Sequence, residues 1–162
     1  MTFEDPRVEH SYTRARAACA AVAAVLPLLL LVSWLSDPAP RPPDPLTVLV
    51  MGAAGLSPLV SAPLVTTMML AHAARPSSEG GTSAGEAGDQ LFTISVVRCT
   101  LWELPLLLGF VLYAMYGSLA LYAPFVLVSA AGLAAYQPRR ALWETWLAAI
   151  ERGRPGVSRP VS

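Results

Sequence analysis

The sequence predicts an all-α polytopic membrane protein, a bundle of four transmembrane helices followed by an amphipathic helix at the membrane surface. Three observations predict this class. Hydrophobic residues make up 54% of the 162 residues and charged residues only 14%, which is more apolar than a soluble domain. Long stretches without charge recur along the chain, at lengths that suit a bilayer. The 11 basic residues, all arginine, gather on one side of a four-span topology.

Residues 17–36 carry no charge and form the first predicted span. A helix of about 20 residues is ~30 Å long, which matches the hydrocarbon thickness of a bilayer. Residues 1–16 are predicted to be a cytoplasmic N-terminal segment. A cleaved signal peptide is the competing interpretation, although the residues around Ser36 make a poor cleavage site. Residues 37–45 contain five prolines and form a stiff connector, because each proline removes an amide donor.

The second predicted span, residues 46–71, is uncharged but contains Pro58 and Pro63. Prolines are tolerated in a membrane helix where hydroxyl groups or neighbouring helices satisfy the freed carbonyls. We therefore expect a kinked helix. The glycine- and serine-rich residues 75–90 that follow have the composition of a linker and are predicted to be disordered.

Residues 91–137 are almost continuously apolar. As a single helix they would be ~70 Å long, about twice the thickness of a bilayer, so the chain must fold back once. Gly117-Ser118 is the only plausible turn, which places spans at 91–115 and 119–136. Tyr113 and Tyr116 lie beside this turn and are predicted to be membrane-interface anchors.

The segment 139–152 has the pattern of an amphipathic helix, with large apolar residues on one face and arginine and glutamate on the other. We expect it to lie on the membrane surface with Trp143 and Trp146 as interface anchors. Residues 153–162 are predicted to be a flexible tail.

The arginines predict the orientation of the bundle. With four spans, nine arginines fall on the side that holds both termini, one (Arg41) falls on the opposite side and one (Arg98) falls within a span. Because cytoplasmic segments carry the excess of basic residues, both termini are expected to be cytoplasmic. The predicted location is a bacterial-type inner membrane.

Two charged residues lie inside the third span, and ionisable groups at membrane depth are candidates for function. Arg98 is ~10 Å from the cytoplasmic end and can extend its guanidinium to the headgroups. Glu103 is ~18 Å inside, too deep to reach either interface, so we expect it to be neutral or paired. Its candidate partners are the hydroxyls of Ser57, Ser61 and Ser129. Glu103, Ser57, Ser61 and Arg98 are therefore the candidate proton or ion site, and a purely structural hydrogen bond is the alternative.

Several classes of function lack support in the sequence. It contains no nucleophile elbow, zinc-protease helix, phosphate loop or dinucleotide fingerprint, so no catalytic residue, metal ligand set or cofactor is predicted. A net charge of zero without a basic run argues against nucleic acid as a partner. Cys19 and Cys99 are too few for a disulfide framework and are expected to be small packing residues.

Residues 101–113, LWELPLLLGFVLY, resemble the second helix of the rotor-ring subunit c/K family of ATP synthases. That family carries a cation-binding glutamate a few residues before a glycine, as Glu103 stands before Gly109. The small residues of the preceding span and its hairpin with the third span add to the likeness, which covers residues 46–115. Spans one and four have no counterpart in that family. The resemblance implies that Glu103 is a protonatable site.

Two functions remain open at this stage. The first is a structural, assembly or accessory subunit without catalytic activity, whose partners are the lipid bilayer and either copies of itself or a larger membrane complex. The second is a membrane protein that handles protons or small ions through the buried carboxyl of Glu103.

Overall fold

The computed structural model describes residues 5–36, 38–74 and 83–152, and these form seven helices with no strand among them. The helices are α1 (Pro6–Ala23), α2 (Val25–Leu35), α3 (Pro45–Leu56), α4 (Pro58–Ala73), α5 (Ala84–Tyr116), α6 (Leu119–Tyr136) and α7 (Arg140–Arg152). Pro6–Leu35, Pro45–Ala73, Ala84–Tyr116 and Leu119–Tyr136 are each long and apolar enough to cross a membrane. The predicted all-α class is confirmed, and the chain has the character of a multi-pass membrane protein.

Each of the four long segments contains an internal proline. Two of the segments are broken close to it, and the other two continue through it. The first divides at Ala24, before Pro27, and the second divides at Ser57, before Pro58. Pro58 cannot donate to the carbonyl of Ala54, and the Ser57 hydroxyl donates to that oxygen instead, at 2.7 Å. Pro105 and Pro124 lie inside α5 and α6, which continue through them.

Helix α5 is the centre of the bundle. In its most apolar stretch of 18 residues 44% are buried, against 11 to 22% for the other three segments. It begins at Ala84 through a capping box, in which Ser83 accepts from the Glu86 amide and Glu86 accepts from the Ser83 amide. The predicted disordered linker is therefore too long, since residues 84–90 are helical. Residues 75–82 of that prediction lie outside the described residues.

One end of the bundle, called the α7 end, is built from segments that the sequence placed outside the membrane. Helix α1 starts at Pro6 and not at residue 17, with Asp5 as its N-cap, and it continues into the first apolar segment. Val8 and Ala15 of α1 are fully buried against Ala87 and Leu91 of α5. The predicted N-terminal segment is therefore part of the packed structure from Pro6 onward.

Helix α7 closes the α7 end. Its predicted amphipathic character is present, but its apolar face is buried against α1, α4 and α5: Trp143 and Ile150 are 0% exposed. The other helices, and not lipid, therefore cover this apolar face, while the position of the helix at the membrane surface stays a prediction. The predicted flexible tail, residues 153–162, lies outside the described residues.

At the opposite end, the far end, α5 turns into α6 at Gly117, as the sequence predicts. Gly117 has a φ of +66°, the left-handed conformation in which a helix commonly stops, and its amide donates to the carbonyl of Tyr113 at 2.7 Å. A Cβ atom here would lie 2.5 Å from the carbonyl oxygen of Pro38. The proline-rich connector therefore packs against the turn, where the Arg41 amide also donates to the Tyr116 carbonyl.

Candidate functional site

Glu103 lies on α5 at mid-span, between the buried residues Trp102 and Pro105. Its side chain is partly exposed at the rim of the buried face of α5. The oxygen Oε1 is buried and has no hydrogen-bond partner in the part of the chain that the structure describes. Satisfied polar groups are the rule inside proteins, so this oxygen marks a place where an interaction is available.

The three serines predicted to meet Glu103 bond elsewhere. Ser57 is exposed and donates to the Ala54 carbonyl at 2.7 Å. Ser129 is fully buried and donates to the Trp102 carbonyl at 2.6 Å, one residue short of Glu103. Ser61 makes no hydrogen bond to Glu103 either. The predicted partners are therefore wrong: two of these hydroxyls satisfy helix carbonyls, one on the serine's own helix and one on its neighbour.

Arg98 is packed inside the protein, although its position near the end of the third span predicted that it would reach the headgroups. Its side chain is 8% exposed. The guanidinium carbon lies 4.5 Å from the ring centroid of Tyr136 and 5.1 Å from that of Trp146. The guanidinium does point toward the α7 end, but the aromatic rings of α6 and α7 cover it. Cation–π attraction to these rings therefore replaces hydration of the charge. No carboxylate forms a salt bridge with it among the described residues.

The four aromatic residues predicted to be membrane-interface anchors face the protein interior. Trp143 donates its indole N–H to the Ser95 hydroxyl at 3.1 Å, and Trp146 is 7% exposed. The Tyr113 hydroxyl lies 2.6 Å from the Ser33 carbonyl oxygen and binds the end of α2, while Tyr116 is buried nearby. These side chains hold helices together, which corrects the expectation that they contact lipid headgroups.

Buried polar atoms without a partner are concentrated on α5. In the described part of the chain they belong to Gln90, Arg98, Trp102 and Glu103 of α5 and to Tyr122 of α6. Tyr122 stacks on Tyr113 of α5, with ring centroids 5.9 Å apart. These atoms are therefore distributed along α5, from the α7 end toward the far end. A series of polar groups at successive depths is unusual in a membrane bundle, because each costs free energy unless it is bonded.

Sequence reasoning missed one feature of this region, the meeting of the two cysteines. Cys19 of α1 and Cys99 of α5 are buried in one apolar cluster at the contact between these helices, and the Cys19 sulfur lies 3.6 Å from the carbonyl oxygen of Ser95, one turn before Cys99. No spacing in the sequence signals this pair, since the relative rotation of α1 and α5 decides it. The described residues contain no group of three or more His, Cys, Asp or Glu residues that could hold a metal ion.

The chemistry available in this region is therefore that of one carboxyl, one arginine and one thiol on α5, with the thiol of Cys19 on α1 in the same apolar cluster as Cys99. No family model matches the chain, and no curated protein or solved structure matches it.

Proposed function

We propose that this chain is a non-catalytic membrane protein that acts as an assembly or accessory subunit, in a homo-oligomer or a larger membrane complex. One observation carries the proposal: Glu103 is partly exposed on the flank of the bundle at mid-span, and its Oε1 has no partner in the described chain. A carboxyl at this depth gains free energy by hydrogen bonding to a polar group on an adjacent helix. Because the Glu103 side chain is partly exposed, a rotation of its carboxyl presents an oxygen to a helix from a second subunit, which can supply that group.

The surrounding surface is consistent with such an assembly. Large apolar side chains of α2, α3 and α4 are exposed, among them Trp34, Leu49 and Val60. Much of this surface meets lipid tails, because hydrocarbon and leucine are equally apolar and drive no helix association by themselves. A polar group within such a surface therefore sets where subunits meet.

The first test measures self-association of the purified chain in lipid nanodiscs or vesicles by energy transfer between labelled copies. Glu103→Ala is expected to weaken association about 3- to 30-fold, the effect of losing one interhelical hydrogen bond. Thr100→Ala is the matched control, because Thr100 is exposed on the same helix and bonds only to the Val96 carbonyl. Self-association that is equal in Glu103→Ala and the wild type would count against the role of Glu103.

A second candidate function is the transfer of protons or small ions, which the series of unpartnered polar atoms along α5 favours. The resemblance of residues 101–113 to the rotor-ring family supports the same role for Glu103. A hydrophobic carbodiimide, which reacts with protonated carboxyls, discriminates between the two candidates. Ion transfer predicts an adduct at Glu103 near neutral pH whose rate falls as the pH rises. The exposed Glu144 is the internal control, and the absence of an adduct at Glu103 would reject this candidate.

The proposed location is a bacterial-type inner membrane with both termini in the cytoplasm. The support is the distribution of charge: Arg7, Arg14, Arg16, Arg139 and Arg140 belong to the α7 end, and Arg41 belongs to the far end. A fluorescent protein fused to the C-terminus is expected to fluoresce, and alkaline phosphatase fused at the same point is expected to be inactive. The reverse result would overturn the orientation.

A further inference from the structure

The contact between α1 and α5 brings together the only two cysteines of the chain. Cys19 is 3% exposed and Cys99 is 1% exposed, and they share an apolar cluster with Trp102 and Leu133. The Cys19 sulfur also lies 3.6 Å from the carbonyl oxygen of Ser95, one turn before Cys99. The Cys19 sulfur thus lies beside the turn of α5 that carries Cys99, and both cysteines belong to packed helices, which favours a preorganised pair.

A buried positive charge lies beside this pair. Arg98 precedes Cys99 on α5, is 8% exposed, and forms no salt bridge with a carboxylate in the described chain. The rings of Tyr136 and Trp146 stabilise the guanidinium only in part, since a buried cation gains most from an anion. A cysteine thiolate is such an anion.

A small cavity at the α7 end borders Cys19. Its volume is about 90 Å³, and it is lined by Arg16, Cys19, Ala20, Gln137 and Pro138. Arg16 and Gln137 make its wall partly polar, and its size is enough for a few water molecules. An ion delivered at this end of the bundle therefore has a short route to Cys19, and through it to Cys99.

The donor set selects the class of ion. Two thiolates are too few for Zn²⁺, which takes four ligands in structural sites and three protein ligands in catalytic ones. Soft sulfur donors prefer soft ions such as Cu⁺, and monovalent d¹⁰ ions are satisfied by two sulfurs in a linear arrangement. Binding converts two thiols and one M⁺ into a bis-thiolate complex of charge −1 and releases two protons. The guanidinium of Arg98 then brings the local charge to zero.

We propose that Cys19 and Cys99 form a two-sulfur binding site for a soft monovalent metal ion of the Cu⁺ class, with Arg98 as the charge-compensating residue. The metal site does not involve the unpartnered oxygen of Glu103 or the proposed role of Glu103 in assembly. Either proposal can therefore be rejected without affecting the other. Coordination involves no change in oxidation state at sulfur or at the metal.

The test titrates Cu⁺ into the reduced protein in detergent without oxygen, against a chromophoric Cu⁺ chelator. One Cu⁺ per chain is expected. Cys19→Ser and Cys99→Ser should each weaken binding by more than roughly 100-fold, and Arg98→Gln by about 10- to 100-fold, as for residues that support a ligand. Met68→Leu is the control, because Met68 is an exposed soft donor outside the site and its loss should leave binding unchanged.

A measurement on the wild type keeps the proposal testable if a variant fails to fold. X-ray absorption at the copper edge of the one-to-one complex should report two sulfur neighbours and no nitrogen. Ag⁺ should protect both cysteines together from a membrane-permeant maleimide. Copper with one sulfur or with nitrogen neighbours, protection of a single cysteine, or binding unaffected by either serine substitution would overturn the site.

Discussion

Single side chains determine how α5 is held at each depth of the bundle. Near the α7 end the Arg98 guanidinium lies between the rings of Tyr136 and Trp146. At mid-span the Ser129 hydroxyl ties α6 to the Trp102 carbonyl. Near the far end the Tyr113 hydroxyl ties α5 to the end of α2. These contacts fix both the rotation and the axial position of α5, because each is directional.

Asp44 gives a pH-dependent prediction at this scale. It caps α3, and its carboxylate accepts from the Thr47 amide at 2.9 Å and from the Thr47 hydroxyl at 2.7 Å. These hydrogen bonds lower the pKa of Asp44 below its ordinary value. The cap therefore stabilises the fold above the unfolded pKa of about 3.9, and this stabilisation is lost as the pH falls through the lower, folded value.

Thermal unfolding of Asp44→Ala, followed by circular dichroism in detergent, is expected to show a lower Tm than the wild type at neutral pH. The difference should shrink below about pH 4, as the carboxyl is protonated. Asp44→Asn is the control, because asparagine caps helices but does not titrate. A Tm difference for Asp44→Ala that is the same at neutral and acidic pH would contradict this account.

The sequence could predict the depth of Glu103 and Arg98 but not their neighbours. Depth follows from counting residues along a helix of known rise. The neighbours depend on which faces of two helices meet, and the helix period alone does not fix the rotation of one helix against another. The predicted serine partners of Glu103 are therefore wrong, whereas the prediction that Glu103 and Arg98 lie within a helix is confirmed.

At the scale of elements, the contact between α5 and α6 depends on glycines that admit large rings. The Trp102 ring packs directly on the backbone of Gly132, so that a Cβ atom at Gly132 would occupy the space of the ring. A Cβ at Gly109 would lie 2.5 Å from the Cβ of Phe125. The two helices approach closely because these positions lack a side chain.

Gly132→Ala is expected to destabilise the protein by about 1 to 3 kcal/mol, the usual effect of overpacking. Gly52→Ala is a matched control, since a Cβ there meets nothing within 4 Å, and it should be neutral or stabilising by up to about 1 kcal/mol. Unfolding by sodium dodecyl sulfate, monitored by tryptophan fluorescence, measures both. Equal stability of the two variants would show that the α5–α6 contact is looser than described.

In the molecule as a whole, α7 connects the C-terminal part of the described chain to the N-terminal helix α1 and to the central helix α5. Trp143 is fully buried, meets the Tyr12 ring edge-on at a centroid distance of 5.3 Å, and donates to Ser95. One side chain thus connects α7 to both α1 and α5. We therefore predict that docking of α7 depends on this protein contact.

Trp143→Ala should weaken this docking by about 3 to 5 kcal/mol, as for other large-to-small changes in a core. Trypsin cleavage after Arg139 or Arg140 is expected to become faster, in detergent as well as in vesicles. Thr145→Ala is the control, because Thr145 is exposed and bonds only to the Ala141 carbonyl. If wild-type α7 resists trypsin only in the presence of lipid, then the membrane surface holds it, and not the bundle.

The class of the protein, its apolar segments and the turn at Gly117 follow from the amino-acid sequence alone. Hydropathy, segment length and backbone conformation are properties of consecutive residues, so they can be read along the chain. The surroundings of α7 and of Arg98, and the shared cluster of Cys19 and Cys99, depend on how the helices pack against one another. An apolar helix face is satisfied by lipid or by protein at a similar free energy, and a linear pattern therefore cannot choose between them.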